Sequence, residues 1–333
     1  MAGKLSREVL ERLVLAKGTL RKDVLWGPRA GGDFAAVELD EERALVTACD
    51  PLAASPQLGW ARSGWLAFHL VAVDVAVSGI APAYICAGWT LPANIPDDAL
   101  GELLEAFRRE GNRFGVEGVA GHTGRYTEVN YPWVGAATAV GIGPRSALRL
   151  PSTAQPGDAL LLWGRPGLEA AVLLCLTSRR MVPAKIVRWA EDEFYNLSSL
   201  SPALEAAGTE GLRCMHDITE GGVIGAAAEL SSAMGRGLTL NTQAIAADPQ
   251  VLTALEPRGL SPLTVTSCGS LLAVASPSAA KRLAGRGFQL VGEVRADDEL
   301  LEQRQGQTKP LVPPEHDPFW DIYTEEVSRK EGT

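Results

Sequence analysis

Met215-His216-Asp217-Ile218-Thr219-Glu220-Gly221-Gly222-Val223 places two carboxylates and a Gly-Gly pair between an apolar run and an Ala-rich helical pattern. Carboxylates at the mouth of a glycine-opened helix are misplaced for a core. They suit a hydrated Mg²⁺ carrying phosphates, because hard oxygens take the metal while backbone N–H groups of the helix start face the anion. Leaving Asp217 and Glu220 as ordinary surface residues does not explain the glycines beside them. Upstream, Asp33, Asp50 and Asp74 stand in similarly apolar surroundings.

Asp74 is the most telling of the three. A carboxylate within Leu70-Val71-Ala72-Val73-Asp74-Val75-Ala76-Val77 must be paired, protonated or metal-bound if the segment is buried. Taken singly, Gly32-Asp33-Phe34-Ala35-Ala36-Val37 reads as a Gly-Asp turn before a strand, and Asp50 in Ala48-Cys49-Asp50-Pro51 as strand-ending punctuation. Gly121-His122-Thr123-Gly124 reads as a loop after a strand. Carboxylates at strand ends and helix starts in both halves of the chain together point to a multi-metal phosphate site.

A chain of 333 residues exceeds the usual size of one core, so two domains are expected. The formal net charge of −9 argues against nucleic acid as a partner, since phosphate neutralisation needs a basic surface. It leaves nucleotides open, because divalent cations bridge acidic side chains to phosphate. Cys49, Cys86, Cys175, Cys214 and Cys268 are scattered without metal-like spacing, which fits a reducing cytoplasm. Met1 to Lys17, with Leu10 and Leu13 at helical spacing, reads as an amphipathic helix rather than a signal peptide. Gly64 to Leu91 is long and apolar enough to span a bilayer, but His69, Asp74, Gly79 and Pro82 argue for a buried helix, a break and a buried strand; no membrane partner is expected.

The expected organisation is an N-terminal helix and lead-in over 1–31, a first domain over 32–143, a linker over 144–156, a second domain over 157–297 and a loosely packed tail over 298–333. In the first domain, Ala35–Leu39 and Ala44–Ala48 read as strands, the latter ending at Cys49-Asp50-Pro51. Leu100, Leu103, Leu104 and Phe107 mark an amphipathic helix opened by Pro96-Asp97. Val116–Ala120 and Val134–Ile142 read as further strands. In the second, strands are read at Ala159–Trp163, Leu212–Met215, Leu238–Asn241, Ser270–Ala275 and Phe288–Val294. Helices are read near Leu168–Thr177, over Ile186–Ala207 with a break around Ser198–Pro202, and at Gly222–Met234 and Ala279–Ala284. The fold class is α+β, with helices on one face of the first sheet. Strands Tyr84–Trp89 and Val134–Ile142 are apolar on both alternating faces, so the other face needs a cover; a second copy of the chain supplies one.

These residues resemble the aminoimidazole ribonucleotide (AIR) synthetase superfamily, the PurM-like fold, nearest to its AIR synthase-related and hydrogenase-maturation ATPase (HypE-like) branches. Gly32 to Val37 resembles that family's Gly-Asp-Asp-Ala-Ala-Val, Cys49-Asp50-Pro51 its Thr-Asp-Pro, and Gly121-His122-Thr123 its Gly-Gly-His-Thr or Gly-Gly-Asp-Thr loop. Gly64 through Asp74 to Gly79-Ile80-Ala81-Pro82 resembles its helix, Asp-containing turn and Gly-x-x-Pro. Met215 to Gly222 resembles its Met-His-Asp-Pro-Thr-Glu-Gly-Gly. The resemblance implies two α+β domains, the first pairing across a two-fold axis into a dimeric β-barrel, and ATP between the domains. It implies Mg²⁺ on Asp33, Asp50, Asp74 and Asp217, and nucleotide contacts from Gly32, Gly121, His122, Thr123, Gly221 and Gly222. His122, Asp217 and Glu220 are the candidate catalytic residues.

Departures narrow the expectation. Phe34 replaces the second aspartate of the first motif, Ala120 a glycine, and Gly124 a glutamate. The hydrogenase-maturation branch carries a cysteine in a C-terminal Pro-Arg-Ile-Cys; here no cysteine follows Cys268, so that chemistry is not expected. Selenophosphate synthetases carry a reactive Cys or selenocysteine near the N-terminus, where Lys17-Gly18-Thr19 offers none. The remaining readings are ATP-dependent phosphoryl activation of an acceptor oxygen on a small molecule or protein-borne group, a thiamine-monophosphate-kinase-like phosphotransferase, and a nucleotide-binding regulatory or assembly protein with little turnover.

Overall fold

The structure is a computed structural model that describes residues 3–15, 21–178 and 182–328. It divides into two compact units: the described residues of Leu20–Gly27 and Asp33–Leu148, and those of Met1–Thr19, Pro28–Gly32 and Arg149–Thr333. No helix among the described residues is long and apolar enough to cross a membrane.

The first unit is a six-stranded sheet in the order β1-β2-β3-β6-β4-β5: β1 (Val24–Trp26), β2 (Ala35–Glu38), β3 (Arg43–Ala53), β4 (Pro82–Pro92), β5 (Glu117–Tyr126) and β6 (Trp133–Pro144). Helix α1 (Trp60–Ala76) packs on β3 and β6 and beside helix α2 (Asp97–Phe114). The apolar run from Gly64 is thus a helix, a break at Gly79 and a strand. In α2, Asp97 and Asp98 sit in the first turn, where carboxylates complement the helix dipole, and Gly115 ends the helix in the left-handed region. Its buried stripe is Ala99, Leu103, Ala106, Phe107 and Glu110; Leu100 and Leu104 flank it half-buried. Small side chains on β3 and β6 (Ala44, Ala48, Ala137, Ala139) form the buried face of the sheet.

Two expectations for this unit are corrected. The second strand does not end at Cys49-Asp50-Pro51 but runs on to Ala53, with an irregularity between Pro51 and Ala53. Gly121-His122-Thr123-Gly124 is no loop: it lies inside β5, where Gly121 pairs in parallel register with Ala87 and Thr123 with Trp89. Long-range pairing with β4 overrides the local loop signal of the glycines. Within one chain this sheet is open, with β1 and β5 as its edges; a barrel requires a second copy.

The second unit is a seven-stranded sheet in the order β13-β12-β9-β11-β7-β10-β8. Its strands are β7 (Ala159–Trp163), β8 (Leu212–Asp217), β9 (Leu238–Asn241), β10 (Leu271–Ala275), β11 (Gln289–Val294), β12 (Leu300–Arg304) and β13 (Gln307–Pro310). All pairings are antiparallel except β9–β12. Strand β10 is buried at every position, as a continuous apolar run requires when both faces are covered. The helices are α3 (Leu168–Thr177), α4 (Ala184–Glu193), α5 (Leu200–Ala207), α6 (Gly222–Met234), α7 (Pro249–Leu255), α8 (Pro277–Ala284) and α9 (Phe319–Tyr323). Helix α7 carries no reading in the sequence, and the expected break in Ile186–Ala207 falls earlier, between Glu193 and Leu200.

The described part of the tail, to residue 328, is not loose. Strands β12 and β13 form a hairpin whose two turn residues, Gln305 and Gly306, both have positive φ, the conformation a two-residue hairpin turn demands. Beyond it Phe319, Tyr323 and Val327 are buried, and Arg258 clasps Glu326 through Nε and Nη2 with both partners nearly out of solvent. Charge content alone made this stretch look solvated. The N-terminal helix is also shorter than expected: Arg7–Val9 continues as one π-type turn over Leu10–Val14, and Leu13 is 70% exposed. Lys17-Gly18-Thr19 lies outside the described residues.

Candidate nucleotide and metal site

In the first unit, Asp33 precedes β2 and Asp50 lies in β3 opposite Ala137 of β6. Because Ala35 pairs with Thr47, both carboxylates fall at the same end of the β2–β3 pair. Asp74 occupies the last turn of α1 and is 7% exposed. On the same helix, buried His69 meets Glu110 of α2 (Nε2 to Oε2, 3.3 Å), with Arg113 also on Glu110. Burial holds the His69 pKa below its ordinary value against the pull of Glu110. That pair joins two helices in the core and accounts for a second polar group in the apolar run. Phe34 is 6% exposed, a core side chain where the resembling motif has a carboxylate.

His122 and Thr123 stand exposed on the edge strand β5, with His122 Nε2 2.8 Å from Tyr126 Oη. A Cβ on Gly124 would lie 2.7 Å from Tyr126 Oη and 2.9 Å from its ring, so a side chain there would displace the half-exposed tyrosine. Gly32 is exposed and belongs to the second unit.

In the second unit, Asp217 ends β8 and Thr219-Glu220-Gly221 turns into α6. Gly221 and Gly222 have φ +81° and +61°, and a Cβ on Gly222 would come within 2.8 Å of the Leu263 and Val265 carbonyl oxygens. The backbone therefore approaches so closely, in so unusual a conformation, that only glycine fits. Three N–H groups at this turn are bonded within the chain. Gly221 donates to Asp317 Oδ2 at 2.9 Å, Gly222 to the Thr219 carbonyl and Ile224 to the Leu263 carbonyl. Asp317 thus holds the mouth of α6, and the turn carries the side chains of Asp217, Thr219 and Glu220.

Around it stand groups that sequence reasoning did not single out. Asp317 also accepts from the Phe319 N–H, and burial, with Glu220 and Glu169 nearby, pushes its pKa up to about 6. Glu169, fully buried, accepts from Thr266 Oγ1 and from the Cys268 N–H at 2.9 Å; burial raises its pKa as well. His216, 3% exposed, meets Glu229 Oε2 at 3.2 Å, and Lys4 Nζ lies 3.4 Å from Oε1. Although burial works the other way, Lys4 and His216 hold Glu229 at about 2. His216 sat inside the quoted motif, but nothing in its spacing announced Glu229 or Asp317.

Comparison with known proteins matches this architecture. The family described as AIR synthase related protein, N-terminal domain, matches residues 31–142, and its C-terminal domain matches residues 155–301. Carbamoyl dehydratase HypE of Cupriavidus necator is 31% identical over 82% of this chain and 78% of that protein. Among solved structures, AaThiL complexed with AMPPCP and TMP superposes with a TM-score of 0.69 at 17% identity over 85% of this chain and 89% of that one. Hydrogenase maturation protein HypE in complex with ATP does so with a TM-score of 0.65 at 19% identity, over 88% of this chain and 92% of that one. The fold is the two-domain PurM-like fold, and the chain belongs to the AIR synthase related family.

Proposed function

We propose that this chain binds ATP with Mg²⁺ and uses it to phosphorylate, and so activate, an acceptor oxygen. The observation that carries the reading is the glycine-built turn into α6, which spends two positive-φ residues to present Asp217, Thr219 and Glu220 while the Gly221, Gly222 and Ile224 N–H groups are satisfied within the protein. Asp33, Asp50, Asp74 and Asp217 are hard oxygen donors of the kind Mg²⁺ takes, and Asp74 holds its carboxylate inside an apolar helix, where a counter-charge offsets the cost of burial. When bound, Mg²⁺ offsets charge on the transferring phosphoryl group. Glu220 and His122 are the chain's candidates for moving the acceptor's proton. Relatives described with ATP or with AMPPCP support the nucleotide. Five free thiols fit a reducing, cytoplasmic setting.

We further infer a homodimer through the first sheet. Helices cover one face of that sheet; on the other, Cys49, Tyr84 and Ile142 are exposed, and nearly all of edge strand β5 is exposed as well. An uncovered apolar face and a long unpaired edge call for a partner, and a second copy closes both.

A phosphotransferase like the thiamine monophosphate kinases remains the alternative reaction on this scaffold. A nucleotide-binding protein with little turnover is favoured by one observation, the core side chain of Phe34 at a motif carboxylate position. The test is calorimetry of ATP with and without Mg²⁺, beside a screen for ADP formation with candidate acceptors. Mg²⁺-dependent binding with acceptor-stimulated ADP release is expected; binding without turnover selects the low-turnover reading, and no binding overturns all three.

A further inference from the structure

Gly3 and Lys4 reach the turn into α6 across 216 positions of sequence. The Lys4 backbone N–H donates to Glu220 Oε2 at 2.6 Å, and its Nζ donates to Thr219 Oγ1 at 3.0 Å while pairing with Glu229 Oε1 at 3.4 Å. Glu229 is held on its other oxygen by buried His216, so the carboxylate is oriented independently of the lysine. Gly3 has φ +109°, and a Cβ there would lie 2.6 Å from Glu220 Oε2 and 2.8 Å from Trp320 Cδ1, so the approach admits glycine alone. From the opposite end of the chain Asp317 holds Gly221, the next residue of the same turn. The two arms differ. Asp317 is 4% exposed and bonded twice, whereas the Lys4 side chain is about half exposed.

We propose that Gly3–Lys4 is a strap that closes on the candidate nucleotide turn and competes with Mg²⁺-nucleotide for Glu220 and Thr219. This rests on the reading that the turn serves a nucleotide. The competition follows from occupancy and charge. Glu220 Oε2 already accepts the Lys4 N–H, and an ammonium on Thr219 and Glu229 repels a divalent cation brought to Asp217, two residues before Thr219. Ligand binding therefore requires the strap to lift, while Asp317 keeps the turn in shape.

The test uses Gly3→Val and Lys4→Ala in the full chain, neither of which replaces a candidate catalytic or metal-binding residue. Hydrogen exchange without nucleotide should be faster over residues 3–9 and 219–225 in both variants. ATP affinity in the presence of Mg²⁺, by calorimetry, should tighten about fivefold to tenfold as the competing state is removed. Unchanged exchange over 219–225 overturns the strap. Unchanged or weaker affinity with faster exchange overturns the competition, and a weaker one makes Lys4 a contributor to binding. If nucleotide binds neither wild type nor variants, the ATP reading fails; exchange alone then decides whether the strap exists, and its role against nucleotide is discarded.

Discussion

Gly121-His122-Thr123-Gly124 and Thr219-Glu220-Gly221-Gly222 look alike in sequence, yet the molecule treats them oppositely. The first lies on an edge strand with His122 and Thr123 in solvent, and His122 bonds locally to Tyr126. The second is held by Asp317, by the loop at Leu263–Val265 and by Lys4. A polar glycine-rich segment finished from within is already in its working conformation. On the readings proposed above, the contrast separates a preorganised site from an interface.

The largest expected effect breaks the first half of that contrast. Ile142→Lys, on the open face of the first sheet, should convert a dimer to a monomer at low micromolar concentration by light scattering. Two-fold symmetry places each buried charge twice, so the loss should be on the order of 4 kcal/mol. Cys49, on the same face beside Thr138, should then react faster with a thiol reagent. A wild type that already runs at monomer mass removes the interface reading.

Next comes the turn itself. Gly222→Ala must adopt a positive φ and push on two carbonyls, so denaturant unfolding should show a loss of about 3 kcal/mol, against less than about 0.5 for Gly118→Ala in open space on β5. Similar losses at both positions would show that the turn is no more constrained than the edge.

Asp317 sharpens the comparison through pH. Its folded pKa of about 6 exceeds the ordinary value of 3.8, so its contribution is fully present below that ordinary value and lost as pH rises through 6. Asp317→Asn, which keeps an acceptor for Gly221, should therefore match wild type near pH 4 and exceed it at pH 7.5 by on the order of 2 kcal/mol. Some slope should persist, because Glu169 is raised in the same sense. Glu229 works oppositely: held at about 2, it adds stability above its ordinary 4.5 that is lost as pH falls through 2. A variant no more stable than wild type at pH 7.5 would mean that the carboxylate is not strained by its burial.

The smallest effect concerns the metal reading. Asp74→Asn should weaken Mg²⁺-ATP binding about tenfold, roughly 1.4 kcal/mol. Asp40→Asn should change it little, since Asp40 is exposed and engaged with Glu42 and Arg43 of its own turn. Equal effects would remove Asp74 from the ligand set.

Much of the architecture is legible in the sequence. Strand β9 and helix α6 fall on Leu238–Asn241 and Gly222–Met234 as read, because hydrophobic period and glycine or asparagine boundaries are local properties. The burial of Asp74 followed from its apolar neighbours, and the ordered motifs were enough to indicate the family. Tertiary structure alone decided the rest. It made Gly121–Gly124 a strand, since parallel pairing with β4 is a bond between distant segments. It drew the tail into the core through Glu326 on Arg258 and Phe319 in the interior, where charge content had argued for solvent. It also surrounded the turn at 219–222 with Lys4, Glu169, Glu229 and Asp317, groups from four separate stretches of chain. Sequence pattern reports the periodicity of one element at a time; the groups that meet across elements are selected by how those elements pack, which no local pattern carries.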